Sequence, residues 1–140
     1  MTPATLSPSN RALVIDDHPL FCDALTLTLN SVASFKEIDT ADRLSTALEH
    51  LQTGSTPALI VLDLNLPDVN GLDGLIRLKT AAPGVPVVVV SSMADNRMIT
   101  HTLRAGAAGF VPKHCLRVVF GLAFLAILGG CTYTPDVFVE

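Results

Sequence analysis

The stretch Leu59-Ile60-Val61-Leu62-Asp63-Leu64-Asn65-Leu66-Pro67 constrains this chain more than any other. An apolar run rich in β-branched residues delivers one carboxylate, Asp63, and then breaks at Pro67 and Gly71. Such a run reads as a strand buried on both faces, with its only charge where the strand stops. In open parallel sheets, ligands bind outside the carboxyl ends of the strands. If other strands send polar groups to the same edge, that edge is a site.

The neighbouring segments supply those strands. Arg11 to Ile15 is a short apolar strand that ends at Asp16-Asp17-His18-Pro19. Pro19 suits the first turn of a helix, with Asp17 or His18 before it as a cap. Phe21, Leu25 and Leu29 then share one face, which predicts a helix from Pro19 to about Leu29. Phe35 to Thr40 is a weaker strand. Leu44, Ala47, Leu48 and Leu51 mark an amphipathic helix to about Gln52, ended by Gly54. After Gly71 a helix is expected to turn Leu72, Leu75 and Ile76 inward as far as Pro83-Gly84. Val87 to Val90 is a strand ending on Ser91-Ser92, and Asp95 suits the N-cap of a helix through Met98, Ile99 and Leu103, closed by Gly106. Gly109-Phe110-Val111 is the last strand and leads to Pro112-Lys113, after which a helix spans Leu116 to Leu128 and stops at Gly129-Gly130. Strands alternating with helices over short connections predict a doubly wound α/β domain with a parallel sheet.

Composition agrees. A chain of 140 residues with 49% hydrophobic and 16% charged residues fits one folded domain, read here as residues 11–140 after a flexible tail of residues 1–10. That tail lacks the cationic and apolar regions of a signal peptide. A net charge of −4 and the absence of basic runs argue against a free-standing nucleic-acid binder. Cys22, Cys115 and Cys131 are odd in number and lack metal-type spacing, so reduced thiols in a cytoplasmic protein are expected.

The strand ends gather Asp16, Asp17, Asp63, Ser91 and Lys113. Carboxylates converging on one edge are not all ionised cheaply unless a cation joins them. Oxygen donors without a His or Cys partner suggest a hard ion, and Mg²⁺ fits best. A hydroxyl and an ammonium beside a carboxylate–Mg²⁺ site make a phosphoryl pocket, in which an Asp can serve as nucleophile. Taken singly, each group has a plainer reading: Asp16-Asp17 as a cap, Ser91 as a strand-end hydroxyl, Phe110 as core. Their joint register is what promotes them. His18, His50, His101 and His114 share no metal spacing and are assigned to surface or loop positions, with no chemical role given to His18.

With these residues in place the chain resembles the receiver domain of two-component response regulators, in the branch that usually carries a LuxR-type helix-turn-helix (the LuxR/NarL/FixJ type). The likeness rests on Val14-Ile15-Asp16-Asp17-His18-Pro19-Leu20-Phe21, on Leu62 to Gly71, on Val87 to Ser92 and on Ala105 to Lys113. The resemblance implies a flavodoxin-like sheet with strand order 2-1-3-4-5 and helices on both faces. It implies Asp63 as phosphoacceptor and Mg²⁺ held by Asp17 and Asp63, with Asp16 acting through water and Asn65 offering its backbone carbonyl. Ser91 would be the switch hydroxyl, Lys113 the phosphate-pairing cation and Phe110 the aromatic that follows Ser91. The implied partner is a sensor histidine kinase, with DNA contacted only through a C-terminal domain outside these residues. Two other functions compete. A Mg²⁺-dependent phosphatase of the haloacid-dehalogenase type also uses an Asp nucleophile, but Asn65 stands where its general acid belongs and a cap domain is missing. A pseudo-receiver acting by protein contact alone would not need the complete pocket.

One segment departs from that family. Val118 to Leu128 holds no polar residue, whereas the last helix of such receivers is usually half polar. It is too short to span a bilayer, which needs about 20 residues, so no membrane role is read from it. A helix apolar all round is expected to be buried on more than one side, here by a second copy of the chain in a homodimer.

Overall fold

In the computed structural model, which describes residues 10–54, 56–69, 72–93, 95–115 and 117–135, each apolar run becomes a strand and each periodic stretch a helix. In chain order these are β1 (Arg11–Ile15), α1 (Pro19–Val32), β2 (Glu37–Ala41), α2 (Leu44–Thr53), β3 (Leu59–Asp63), α3 (Asp73–Ala81), β4 (Val87–Ser91), α4 (Asn96–Arg104), β5 (Gly109–Pro112) and α5 (Arg117–Leu128). The strands pair in parallel in the order β2-β1-β3-β4-β5, as expected of a flavodoxin-like receiver fold.

The two-residue period of a strand sorts the core into two layers. Leu13, Ile15, Ile60, Leu62, Val87, Val89 and Phe110 face α2, α3 and α4. Ala12, Val14, Leu59, Val61, Val88, Val90 and Val111 face α1 and α5. Since β3 and β4 are covered on both sides, neither has a solvent face to carry polar residues, and their sequences show none until the last position.

Local signals hold at several termini. Pro19 opens α1, the Asp95 carboxylate accepts from Met98 N–H at 2.8 Å to cap α4, and Gly106 takes the left-handed φ of +103° after α4. Helix α1 continues past Leu29 to Val32, because Leu29 is not its last inward residue. His18 is its N-cap, with no side-chain capping bond.

One expectation needs correction, at Ile76. On α3 the buried residues are Gly74, Leu75 and Leu78, while Ile76 is 51% exposed. Ile76 lies one residue, about 100° of helix, beyond Leu75 and so leaves the inward stripe. On α5, Phe120, Ala123, Phe124 and Ile127 are buried, but Val118, Leu122 and Leu125 are exposed. Among the described residues this helix is therefore covered on one side only, by the sheet and by α1. Its outer face borders an open groove of about 490 Å³ shared with Thr28, Ser31 and Val32 of α1.

After α5 the chain returns to the edge of the sheet. Tyr133 N–H donates to Ala108 O at 2.9 Å and Phe110 N–H donates to Tyr133 O at 3.3 Å, a one-residue parallel bridge. Gly109 permits this approach, since a Cβ there would lie 2.8 Å from Ile127 Cδ1 and 3.1 Å from Tyr133 Cβ. The N-terminal tail through residue 9, Gly71 in the loop after β3, and Leu116 at the expected start of the last helix lie outside the described residues. No described helix is long and apolar enough to cross a membrane.

Candidate functional site

Parallel pairing brings the carboxyl ends of β1, β3, β4 and β5 to one edge, and the polar residues of the sequence meet there. Asp16 follows β1 and is pinned by its N–H donating to Ala41 O at 2.9 Å. Its side chain has no exposed surface. Asp63 closes β3 and is likewise sealed, with Oδ1 accepting from Asn65 N–H at 3.0 Å in a two-residue side-chain turn. The contact Asn65 makes with Asp63 is thus through its N–H. Asp17 stands partly exposed beside them.

Lys113 completes the edge. It follows β5, and its N–H donates to Ser91 O at 2.9 Å, which ties it to the end of β4. Its Nζ lies 2.9 Å from Asp16 Oδ2 and 3.2 Å from Asp63 Oδ2, and 4.6 Å above the Phe21 ring. Burial disfavours the ammonium, but contact with Asp16, then its charge and that of Asp63, outweigh it. Lys113 therefore titrates above the ordinary lysine value.

Ser91 ends β4, 1% exposed, and its Oγ accepts from Met93 N–H at 3.0 Å. Val89 pairs with Phe110 and Ser91 with Pro112, so the Ser91 side chain and the fully buried Phe110 ring share the α4 side of the sheet. The sequence-derived residues Asp16, Asp17, Asp63 and Lys113 are brought together directly, whereas Ser91 ends the adjacent strand β4 and Phe110 lies deeper in the sheet on β5.

Three further residues belong to this edge. His18 Nδ1 lies 3.0 Å from Asp16 Oδ1 and 3.2 Å from Asp17 Oδ1. Phe21 carries the Lys113 ammonium on its face and meets Phe120 of α5 edge-on, with centroids 5.8 Å apart. Asp68, in the loop after β3, accepts from Leu44 N–H at 2.9 Å and Ser45 N–H at 3.0 Å, capping α2, whose own N-cap residue Arg43 makes no side-chain cap. Desolvation opposes the Asp68 charge, but the hydrogen bonds from Leu44 and Ser45 outweigh it and hold the carboxyl below its ordinary value. His18 and Phe21 were visible as members of the Asp16–Phe21 run, and the Asp68 cap gave no sequence signal at all.

Cys22, Cys115 and Cys131 form no disulfide among the described residues. Cys22, whose thiol donates to Asp16 O at 3.3 Å, is pushed up to about 11 by burial and then by the Asp16 charge, so it stays protonated and unreactive.

Asp16, Asp17, Asp63 and His18 each offer a ligand atom, all within 4.8 Å of one another. Three carboxylates against one ammonium leave an excess of negative charge that suits a divalent cation.

Residues 12–119 match the family model of the response regulator receiver domain. The chain is 38% identical over 126 residues to the glycerol metabolism activator of Pseudomonas putida, covering 89% of this chain and 57% of that protein. It is 30% identical over 129 residues to the transcriptional regulatory protein MctR of Rhizobium johnstonii, covering 92% and 60%. It therefore spans less than two thirds of these relatives' length. A LuxR family DNA-binding response regulator from Silicibacter pomeroyi superposes with a TM-score of 0.80 at 32% identity, covering 91% of this chain and 98% of that one. The signal receiver domain of NarL from Mycobacterium tuberculosis superposes with a TM-score of 0.73 at 27% identity, covering 86% and 96%. The chain belongs to the response regulator receiver domain family of two-component systems and is similar to LuxR/NarL-type transcriptional regulators.

Proposed function

We propose that Asp63 accepts a phosphoryl group from the phosphohistidine of a sensor histidine kinase and that the chain is a cytoplasmic switch for transcription. The supporting observation is the carboxyl edge itself, where two sealed carboxylates share one ammonium, Lys113, at 2.9 and 3.2 Å. An Asp63 oxygen attacks phosphorus and forms the O–P bond as the P–N bond to the kinase imidazole breaks, its electron pair leaving on nitrogen. Lys113 pairs with the phosphoryl oxygens, and the Ser91 hydroxyl turns from Met93 to hydrogen-bond one of them. Asp17 and Asp63 would hold Mg²⁺, with Asp16 supporting it through water and Asn65 through its carbonyl, and the bound ion would supply neutralisation of negative charge on the oxygens there.

The added charge of about −1.5 to −2 shifts Ser91, and Phe110 follows on the same face of the sheet. The acyl phosphate hydrolyses within the same pocket, which is the only enzymatic step assigned to the chain. Output runs through a helix-turn-helix domain outside these residues, a reading supported by the LuxR-type relatives. The apolar outer face of α5 supports a homodimer, and the contacts from Lys113 through Phe21 to Phe120 link the pocket to the buried side of the same helix.

Incubation with acetyl phosphate and Mg²⁺ tests this reading by intact mass. One phosphoryl group is expected on the native chain and none on Asp63→Asn. Turnover of small phosphomonoesters would instead support the phosphatase.

A further inference from the structure

The donors that sequence alone brought to this edge were all oxygens, and the structure adds a nitrogen. His18 Nδ1 lies 3.0 Å from Asp16 Oδ1, 3.2 Å from Asp17 Oδ1 and 4.0 Å from Asp63 Oδ2. The backbone holds the residue there: its N–H donates to Asp16 Oδ1 at 2.8 Å, and Pro19 follows with its fixed φ.

We propose that His18 is a metal ligand that sets the ion preference of this site, admitting a divalent transition ion such as Co²⁺, Ni²⁺ or Zn²⁺ in competition with Mg²⁺. The inference rests on the phosphoacceptor reading, because it uses the same carboxylates.

Spacing supports a shared ion. A cation about 2.1 Å from each donor separates its ligands by roughly 3.0 Å at right angles, 3.4 Å at tetrahedral angles and 4.2 Å across an octahedron. His18 Nδ1 stands 3.2 Å from Asp17 and 4.0 Å from Asp63, the two carboxylates assigned to the ion directly, and both separations fall within that range. Lys113 shows independently that these donors converge. Its Nζ lies 3.2 Å from His18 Nδ1 as well as within ion-pair reach of Asp16 and Asp63. The tautomer decides which contact is a hydrogen bond: protonated, Nδ1 donates to the carboxylates, and unprotonated it accepts from Lys113 with the lone pair that a metal takes.

The chemistry then follows from donor type. Mg²⁺ favours oxygen and gains little from imidazole, whereas later first-row ions bind imidazole well. A fourth donor of this kind raises affinity for the transition ion without equal benefit to Mg²⁺. The ring is 63% exposed, so it is free to adjust as an ion enters.

The test measures Co²⁺ and Mg²⁺ affinities by calorimetry and by the visible absorption of Co²⁺. On the native chain, Mg²⁺ should displace Co²⁺ from a single site. In His18→Ala and in His18→Gln, which keeps a polar side chain without the ring, the preference for Co²⁺ over Mg²⁺ should fall at least about tenfold. An unchanged ratio, whether neither affinity moves or both fall together, overturns the proposal. A variant lacking His50, His101 and His114 should keep the Mg²⁺-displaceable Co²⁺, and its loss there would place the ion elsewhere. If Asp17→Asn leaves both ions bound, the metal assignment in the phosphoacceptor reading fails instead.

Discussion

At the carboxyl edge of the sheet Asp16 and Asp63 are nearly sealed from solvent, while on the outer face of α5 Val118, Leu122 and Leu125 are half or more exposed. Carboxylates ordinarily lie outside and large aliphatic groups inside, so each region runs against the usual sorting. The edge is answered in large part within the chain, where Lys113 meets both carboxylates and Asp63 also takes an N–H from Asn65, and the charge left over suits a divalent cation. The α5 face has no such answer among the described residues, where the sheet and α1 cover only its other side. A buried charge thus identifies its partners inside the fold, and exposed apolar surface points to a partner outside it.

The comparison breaks first at Lys113. Removing one member of a buried charge cluster leaves the others unpaired, which costs about 3–5 kcal/mol when burial is complete. Solvent reaches Lys113 in part, so Lys113→Met should cost about 2 kcal/mol in urea unfolding without divalent ions. Its pH dependence has a definite sign. The folded pKa is raised, so the stabilisation is full below the ordinary lysine value and is lost as pH rises through the higher folded one. Lys113→Met should lose that alkaline slope.

A smaller effect is expected at Asp68, which marks how far the polar edge reaches. Asp68→Ala removes the cap of α2 and should cost about 1 kcal/mol. Its folded pKa is lowered, so the contribution is present above the ordinary aspartate value and disappears as pH falls through the lower folded one. An acid titration of stability, native against Asp68→Asn, checks the sign.

The smallest effect on folding is expected on the other region. Leu122→Lys places a charge on a position 59% exposed and should shift stability by no more than about 0.5 kcal/mol. If a second copy covers this face, sedimentation should show self-association of the phosphorylated native chain and its loss in the variant. A strict monomer at micromolar concentration would remove the homodimer.

What was legible in the sequence was local. The Leu59–Asp63 run, the Asp95 cap and the Gly106 turn each depend on a few adjacent residues, and the structure has all three. The sheet order came through the motif likeness and agrees with the pairing found. What failed needed distance or direction. Asp68 caps a helix 24 residues away in sequence, which no local pattern records. Leu75 and Ile76 are both apolar, and apolarity alone does not tell which of two neighbouring positions faces the sheet. His18 does lie at the surface as expected, and its carboxylate neighbours on two strand ends are brought to it by strand pairing that its spacing to other histidines does not record.

The most direct measurement is the position of the phosphoryl group. After acetyl phosphate and Mg²⁺, reductive cleavage of the acyl phosphate marks the modified carboxylate, and peptide mass spectrometry locates it. A single mark on Asp63 is the predicted result. A mark on Asp16 or Asp17 instead, or none on a chain that binds Mg²⁺, would contradict the account.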